Sequence, residues 1–290
     1  MDVGGSHVSA ARFARNSGES LRLISRTRLA LDSKADAQQI LSVLLEAAAS
    51  VVGNESRLRV AMPGPFDYDR GIGMFEGVGK FDALRGFDLG TAMSGALHIS
   101  RNQIEFIKDS DAYAYGEAHN GAAKGYESFV CLTLGTGIGS AFVRSSRAIA
   151  SGPDVPPGGD VFRLSLAGQP LESFSAPRSI EAAYQAQSGE PAKLPEICDR
   201  ARAGDVIANS VLHRAMDVLG RVVGPWVRRF GAQSIVIGGS VAASADVLFP
   251  FLEHRLSNDS TLPVDGVRRA VHDDLAALTG AAATIPYAGD

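Results

Sequence analysis

Two stretches of this chain share one grammar. DVGGSHVSAARF lies at its beginning and LGTGIGSAFVRS near its middle, with Gly4 and Gly135 in equivalent places 131 positions apart. Each is a turn of small residues followed by a run whose polarity alternates as a strand's does. A repeat at that distance is far too long for a solenoid and implies two related domains. The chain has 290 residues, enough for two hydrophobic cores.

Composition narrows the function classes. With 28 basic and 32 acidic residues the formal charge is −4, which argues against a strongly basic nucleic-acid binder. No apolar run approaches the ~18 residues of a membrane span. Cys131 and Cys198 are the only cysteines and lie too far apart for a CxxC zinc site. Cys131, inside FVCLTL, reads as a core residue. No basic segment followed by an apolar one marks a leader, so a cytoplasmic location is expected.

Short strand-like runs alternate with longer helix-like ones, predicting an α/β protein with mixed sheets. Strands are expected at 8–13, 21–26, 58–62, 104–107, 129–134, 140–143 and 234–237, and helices at 36–52, 111–123, 179–187, 206–230, 244–255 and 273–283. Asp36 is a natural N-cap for the first helix, and Pro225 should kink or split the fourth. Residues 145–160 and 187–195 read as long excursions of the second domain.

The glycine turns suit anion binding, because successive amides can approach a phosphate where no Cβ intervenes. Gly4, Gly5 and Ser6 would form one phosphate turn, and Gly135, Thr136 and Gly137 the other. Asp2 would organise Mg²⁺ through water. The plainer alternative is two hairpin turns. GTGIGS lacks the GK[ST] ending of a Walker loop, and a strand rather than a helix follows it, against a Rossmann fingerprint. A third element, SIVIGGSVAASADVLF, ends an apolar strand at Gly238 and Gly239 and could lie against a flat nucleoside or simply pack a helix. Asp109 follows the strand 104–107, where it could accept a proton from an attacking hydroxyl or merely cap the next helix. Asp111 is the better cap by sequence, and Glu117 reads as a solvated or interface charge.

Taken in order, DVGGSH, PGPFD at 63–67, Asp109 before AYAYGE, GTGIGS, IVIGGS and a C-terminal GAAA resemble the ROK (repressor, open reading frame, kinase) family. More widely, they resemble the actin, hexokinase and Hsp70 ATPase superfamily. The resemblance implies two ribonuclease H-like domains around a nucleotide cleft: a smaller one over 1–110, a larger one over 111–272, and a last helix in 273–290 packing back on the first. It implies ATP-dependent phosphorylation of a sugar hydroxyl with ATP and Mg²⁺ as cofactors, and Asp109 as the base. Asp2, Gly4, Gly5, Ser6, Gly135, Thr136, Gly137, Gly238 and Gly239 fall on nucleotide positions. Gly64 and Glu172 fall on sugar positions.

Departures accompany the likeness. The family's CxCGxxGCxE zinc motif is RLSLAGQPLE here, so no zinc site is expected. Its GExGH motif is matched only by GGDVFR, with Asp160 for Glu and Arg163 for His. Lys108 replaces an Asn before Asp109, and Lys80 stands near another replaced Asn. These cations suggest an acceptor with an anionic or unusual polar group, unless they face solvent. No helix-turn-helix region precedes the first motif, so a repressor is not expected. Nor does enough strand precede Asp2, which suggests about five residues missing there. A homodimer is compatible with the family. Three rival readings stand beside the kinase: a non-catalytic sugar or nucleotide sensor, an ATPase without a sugar acceptor, and a kinase using polyphosphate as donor.

Overall fold

The computed structural model describes residues 1–15, 21–53, 57–271 and 275–284. The chain divides into two compact units, Met1–His119 with Asp274–Asp290, and Asn120–Asp273.

The first unit is built on strands β1 (Asp2–Val3), β2 (His7–Arg15), β3 (Leu21–Ala30) and β4 (Leu58–Met62). A small ribbon, β5 (Phe66–Asp67) and β6 (Ile72–Gly73), precedes β7 (Ile104–Lys108). The main sheet has the order β3–β2–β1–β4–β7. The β1–β2 and β2–β3 pairs are antiparallel, and β1–β4 and β4–β7 parallel. Helix α1 (Ala37–Ala49) starts where the Asp36 carboxylate accepts the Gln39 N–H at 2.8 Å, and it buries Ile40, Leu44 and Ala48 at helical spacing. Helices α2 (Leu89–Leu97) and α3 (Asp109–Asn120) follow.

The second unit repeats the plan. Strands β8 (Ser128–Leu134), β9 (Ile138–Arg144) and β10 (Arg147–Ala148) lead to a hairpin, β11 (Ser165–Leu166) and β12 (Gln169–Pro170). Helices α4 (Glu172–Ser175), α5 (Pro177–Ser188), α6 (Leu194–Arg202) and α7 (Val206–Phe230) come next, then β13 (Ser234–Gly238), α8 (Ala245–Asn258) and β14 (Val267–Arg269). Its sheet order is β10–β9–β8–β13–β14. The first two pairs are antiparallel and the last two parallel, as in the first unit. The two sheets are thus alike, as the repeat led one to expect, and have the ribonuclease H-like arrangement that the resemblance implies. Each unit has its own core: Val8, Ile40, Val60 and Phe81 lie in one, and Val130, Leu132, Leu219 and Ile237 in the other.

The last helix, α9 (Ala276–Ala283), belongs to the first unit. A Cβ added to Gly280 would stand 1.8 Å from the Ala112 carbonyl oxygen, and one on Gly116 would stand 2.0 Å from that of Ala276. The helix that begins at Asp109 and the last helix thus touch backbone to backbone, which only glycine permits. Residues 273, 274 and 285–290 of the expected terminal segment lie outside the described residues.

Several local expectations change. The helix over 206–230 has the expected bounds, but Pro225 does not split it. Proline removes only one hydrogen bond from a helix whose buried face continues to Val227 and Phe230. The stretch 187–195 is shorter as a loop than expected, because α5 runs to Ser188 and α6 begins at Leu194. The third helix starts at Asp109, not Asp111, and the Asp109 carboxylate accepts the Ser110 N–H at 2.7 Å. Glu117 is fully buried instead of solvated, one residue beyond the glycine that meets α9. Helix α2 and strand β14 carry too little periodicity to be anticipated, whereas α6 buries Leu194, Ile197, Cys198 and Ala201 at helical spacing and was passed over beside its prolines.

Candidate active site

In the first unit, parallel pairing brings three strand ends side by side. Asp2 pairs with Ala61, and Met62 pairs with Lys108. Asp2, the turn after β4 containing Gly64, and Asp109 therefore share the carboxyl edge of the sheet, where α/β folds place ligands. Gly64 is exposed and precedes Pro65 in a cis peptide. The Tyr68 hydroxyl, which sequence reasoning missed, donates to the Met62 carbonyl at 3.2 Å and lies 3.5 Å from where a Gly64 Cβ would stand.

Asp109 is the electrostatic centre of that edge. Its carboxyl is half-buried, and its pKa is pushed up from 3.8 to about 6. Loss of solvation is the main cause; the Ser110 N–H opposes it, the Asp2 charge adds to it, and Lys80 and Lys108 oppose it. Asp2, Lys80 and Lys108 are thus all within electrostatic reach of one carboxylate. Lys108 is only 15% exposed and lies 3.7 Å from Asp111, so it does not point into solvent. Lys80 lies along the first glycine turn, its Cδ 4.0 Å from where a Gly5 Cβ would be.

That turn presents Gly5 and Ser6 at the surface. The Gly4 N–H donates to the His7 carbonyl at 2.9 Å. The Gly5 and Ser6 carbonyls accept from the Ser33 and Leu31 amides at 3.3 and 3.0 Å. The Ser33 carbonyl in turn accepts from Phe81 at 2.6 Å, which seats the segment carrying Lys80.

The second turn sits between β8 and β9, with Thr136 exposed and the Gly135 N–H donating to the Gly137 carbonyl at 3.0 Å. Beside it lie Gly238 and Gly239, since Gly238 pairs with Thr133. Gly239 has φ +83°, and a Cβ there would meet the Leu134 carbonyl oxygen at 2.5 Å. The expected nucleoside turn and the expected phosphate turn of this unit are therefore neighbours. Glu172, expected at the sugar, places Oε1 within 2.8 Å of the Ile138 N–H, which donates to it.

Asp160 and Arg163 are joined, Arg163 Nε donating to Asp160 Oδ2 at 3.1 Å, with the arginine 55% exposed. Ser140, a second residue sequence reasoning passed over, anchors their segment. Its hydroxyl donates to the Gly159 carbonyl at 2.6 Å and accepts the Val161 N–H at 2.9 Å. Its place next to the GTGIG run was the available signal. Where the family's zinc motif would fall, β11 and β12 close through Ala167 and Gly168, both at positive φ, as a tight hairpin turn requires. Among the described residues no three His, Cys, Asp or Glu side chains gather into a metal cluster.

Comparison with known proteins places this geometry. The chain is 26% identical over 284 residues to the glucokinase of Thermotoga maritima, covering 88% of this chain and 86% of that protein. The ROK hexokinase of Thermus thermophilus matches with a TM-score of 0.75 at 26% identity, over 98% of this chain and 95% of that one. A ROK family glucokinase of Streptomyces griseus, solved with glucose and AMPPNP, shares the fold with a TM-score of 0.71 at 18% identity, over 97% and 96% of the two chains. A model of the ROK family matches residues 1–154 and 167–287, leaving out the stretch with Asp160 and Arg163. This chain is a member of the ROK family.

Proposed function

We propose that this chain is a sugar kinase that transfers the γ-phosphoryl group of ATP to a sugar hydroxyl, with Asp109 as the general base. The observation that carries the reading is Asp109 itself: a half-buried carboxyl at a strand's carboxyl end, with a pKa near 6, flanked by an acid and two lysines. Such a group is ionised at neutral pH yet basic enough to take up a proton as the hydroxyl attacks. The sugar oxygen forms a bond to the γ-phosphorus while the bond to the bridging oxygen of ADP breaks, and the hydroxyl proton passes to Asp109.

The glycine turns 4–6 and 135–137 would hold phosphate oxygens through backbone amides, and Gly238 and Gly239 would leave room for the nucleoside. Asp2 fits Mg²⁺ held through water, since that ion needs only one or two carboxylates beside phosphate oxygens, and it would neutralise phosphate charge when bound. Gly64, Lys80, Lys108, Asp160, Arg163 and Glu172 are the proposed surroundings of the sugar. Glucose is the first acceptor to try, given the glucokinase relatives.

The test is ADP release with a panel of neutral sugars and sugar acids. Release that depends on one of these sugars supports the reading, and preference for an acid would identify Lys80 and Lys108 as its partners. Sugar binding without ADP release would make the chain a sensor. Sugar-independent release would make it an ATPase. Phosphorylation that polyphosphate supports and ATP does not would change the donor.

A further inference from the structure

We infer that Glu172 is a positioning residue for the second glycine turn, acting through the amide of Ile138 and not only on the sugar. The inference deepens the proposed function, resting on the reading of residues 135–137 as a phosphate turn. Two observations carry it, both on one carboxylate oxygen. The Ile138 N–H, the first amide beyond the turn, donates to Glu172 Oε1 at 2.8 Å. A Cβ built on Gly137 would stand 2.5 Å from that same oxygen, whereas Gly135 has nothing within 4 Å of its added Cβ. Gly137 does not adopt a positive φ. Its lack of a side chain is thus explained by the carboxylate seated against it and not by backbone conformation.

The acid is held from its own side. The Glu172 carbonyl accepts the Ser179 hydroxyl at 2.7 Å, and Arg178 Nη2 lies 3.8 Å from Oε2. A carboxylate carried on a backbone so anchored sets where the 137–138 peptide lies, and with it the direction of the turn's amides. Ser140, two residues on, ties the same strand to the Gly159–Val161 segment. The start of β9 is therefore pinned by side-chain bonds to both segments proposed to face the sugar.

Three variants test this, each first checked for an intact fold by circular dichroism and melting. Glu172→Ala removes the acceptor, and its KM for ATP should rise about tenfold or more, the scale of losing a hydrogen bond to a charged group. Glu172→Gln keeps an oxygen for the Ile138 amide, so its KM for ATP should stay within about threefold of wild type even where its KM for sugar rises. Gly137→Ala should displace the carboxylate and behave as Glu172→Ala does, while the double variant should be no worse than either single one, as expected of residues acting as one unit. A rise confined to the KM for sugar, a Gln variant as impaired as the Ala variant, or additive losses would overturn the inference. Hydrogen exchange at the Ile138 amide decides it without turnover. Protection lost in Glu172→Ala and kept in Glu172→Gln supports the inference even in a chain that phosphorylates nothing, and equal protection in all forms refutes it.

Discussion

The two glycine turns occupy the same place in the same strand order, yet they are braced by different chemistry. The first is held by backbone bonds from residues 31–33 and lies along Lys80, close to the charges of Asp2 and Asp109. The second is fixed by one carboxylate from a distant helix and sits beside the Gly238–Gly239 turn. The repeat preserved the hairpin, while the surrounding residues diverged. Charge gathers around the first turn, where Asp2, Lys80 and Asp109 lie near one another. Close packing is found beside the second, where Gly137 meets the Glu172 carboxylate and Gly239 the Leu134 backbone.

Three substitutions test that contrast. The largest effect belongs to the packing that seats Asp109's helix. Gly280→Ala would drive a Cβ to 1.8 Å from the Ala112 carbonyl oxygen and 2.5 Å from the Gly116 nitrogen, both backbone atoms. Overpacking against backbone should destabilise the first unit by about 3 kcal/mol, read as a lower denaturation midpoint. An unchanged midpoint would mean that α9 is not held there.

A smaller effect, of opposite sign, comes from Asp109. Its folded pKa of about 6 lies above its ordinary value of 3.8, so the folded state favours the proton. As pH rises from about 4 to 6 the unfolded chain ionises first, and wild type loses stability until both states are charged. Asp109→Asn should therefore be more stable than wild type at pH 8, by on the order of 1–2 kcal/mol after allowance for partial exposure, and the gain should vanish near pH 4. Melting at the two pH values checks this; a variant less stable at pH 8 would show that the charged form is welcomed by its neighbours.

The smallest effect sharpens the contrast between the turns. A Cβ on Gly5 would meet nothing nearer than the Ser33 hydroxyl oxygen at 3.7 Å, an ordinary contact. Gly5→Ala should leave the melting temperature of the first unit nearly unchanged, a change within about 0.5 kcal/mol. A large loss would show that this turn too is sterically fixed.

Much of this architecture was legible in the sequence because the repeat at Gly4 and Gly135 fixes two equal topologies, and because Leu58–Met62 and Val206–Phe230 carry strong patterns. Helix α6 was hidden in a stretch with two prolines, Pro191 and Pro195, the second of which occupies the first turn of the helix, where a missing N–H does no harm. The burial of Glu117 was invisible in the local pattern, its neighbour Gly116 meeting Ala276 far along the chain. The site divides in the same way. Asp109 stood out from its position after a strand. The link from Glu172 to Ile138, which spans 34 residues, and the hydroxyl of Ser140 are tertiary facts that no local pattern encodes.

The most direct measurement is the pH dependence of kcat/KM for the best sugar, compared between wild type and Asp109→Asn. The base reading predicts a wild-type rate that rises with pH through a limb near 6 and levels off above it. It predicts that the variant loses about 10²–10⁴ in kcat and the limb together, with the fold intact. A variant with full activity, or one that keeps the limb, would contradict it.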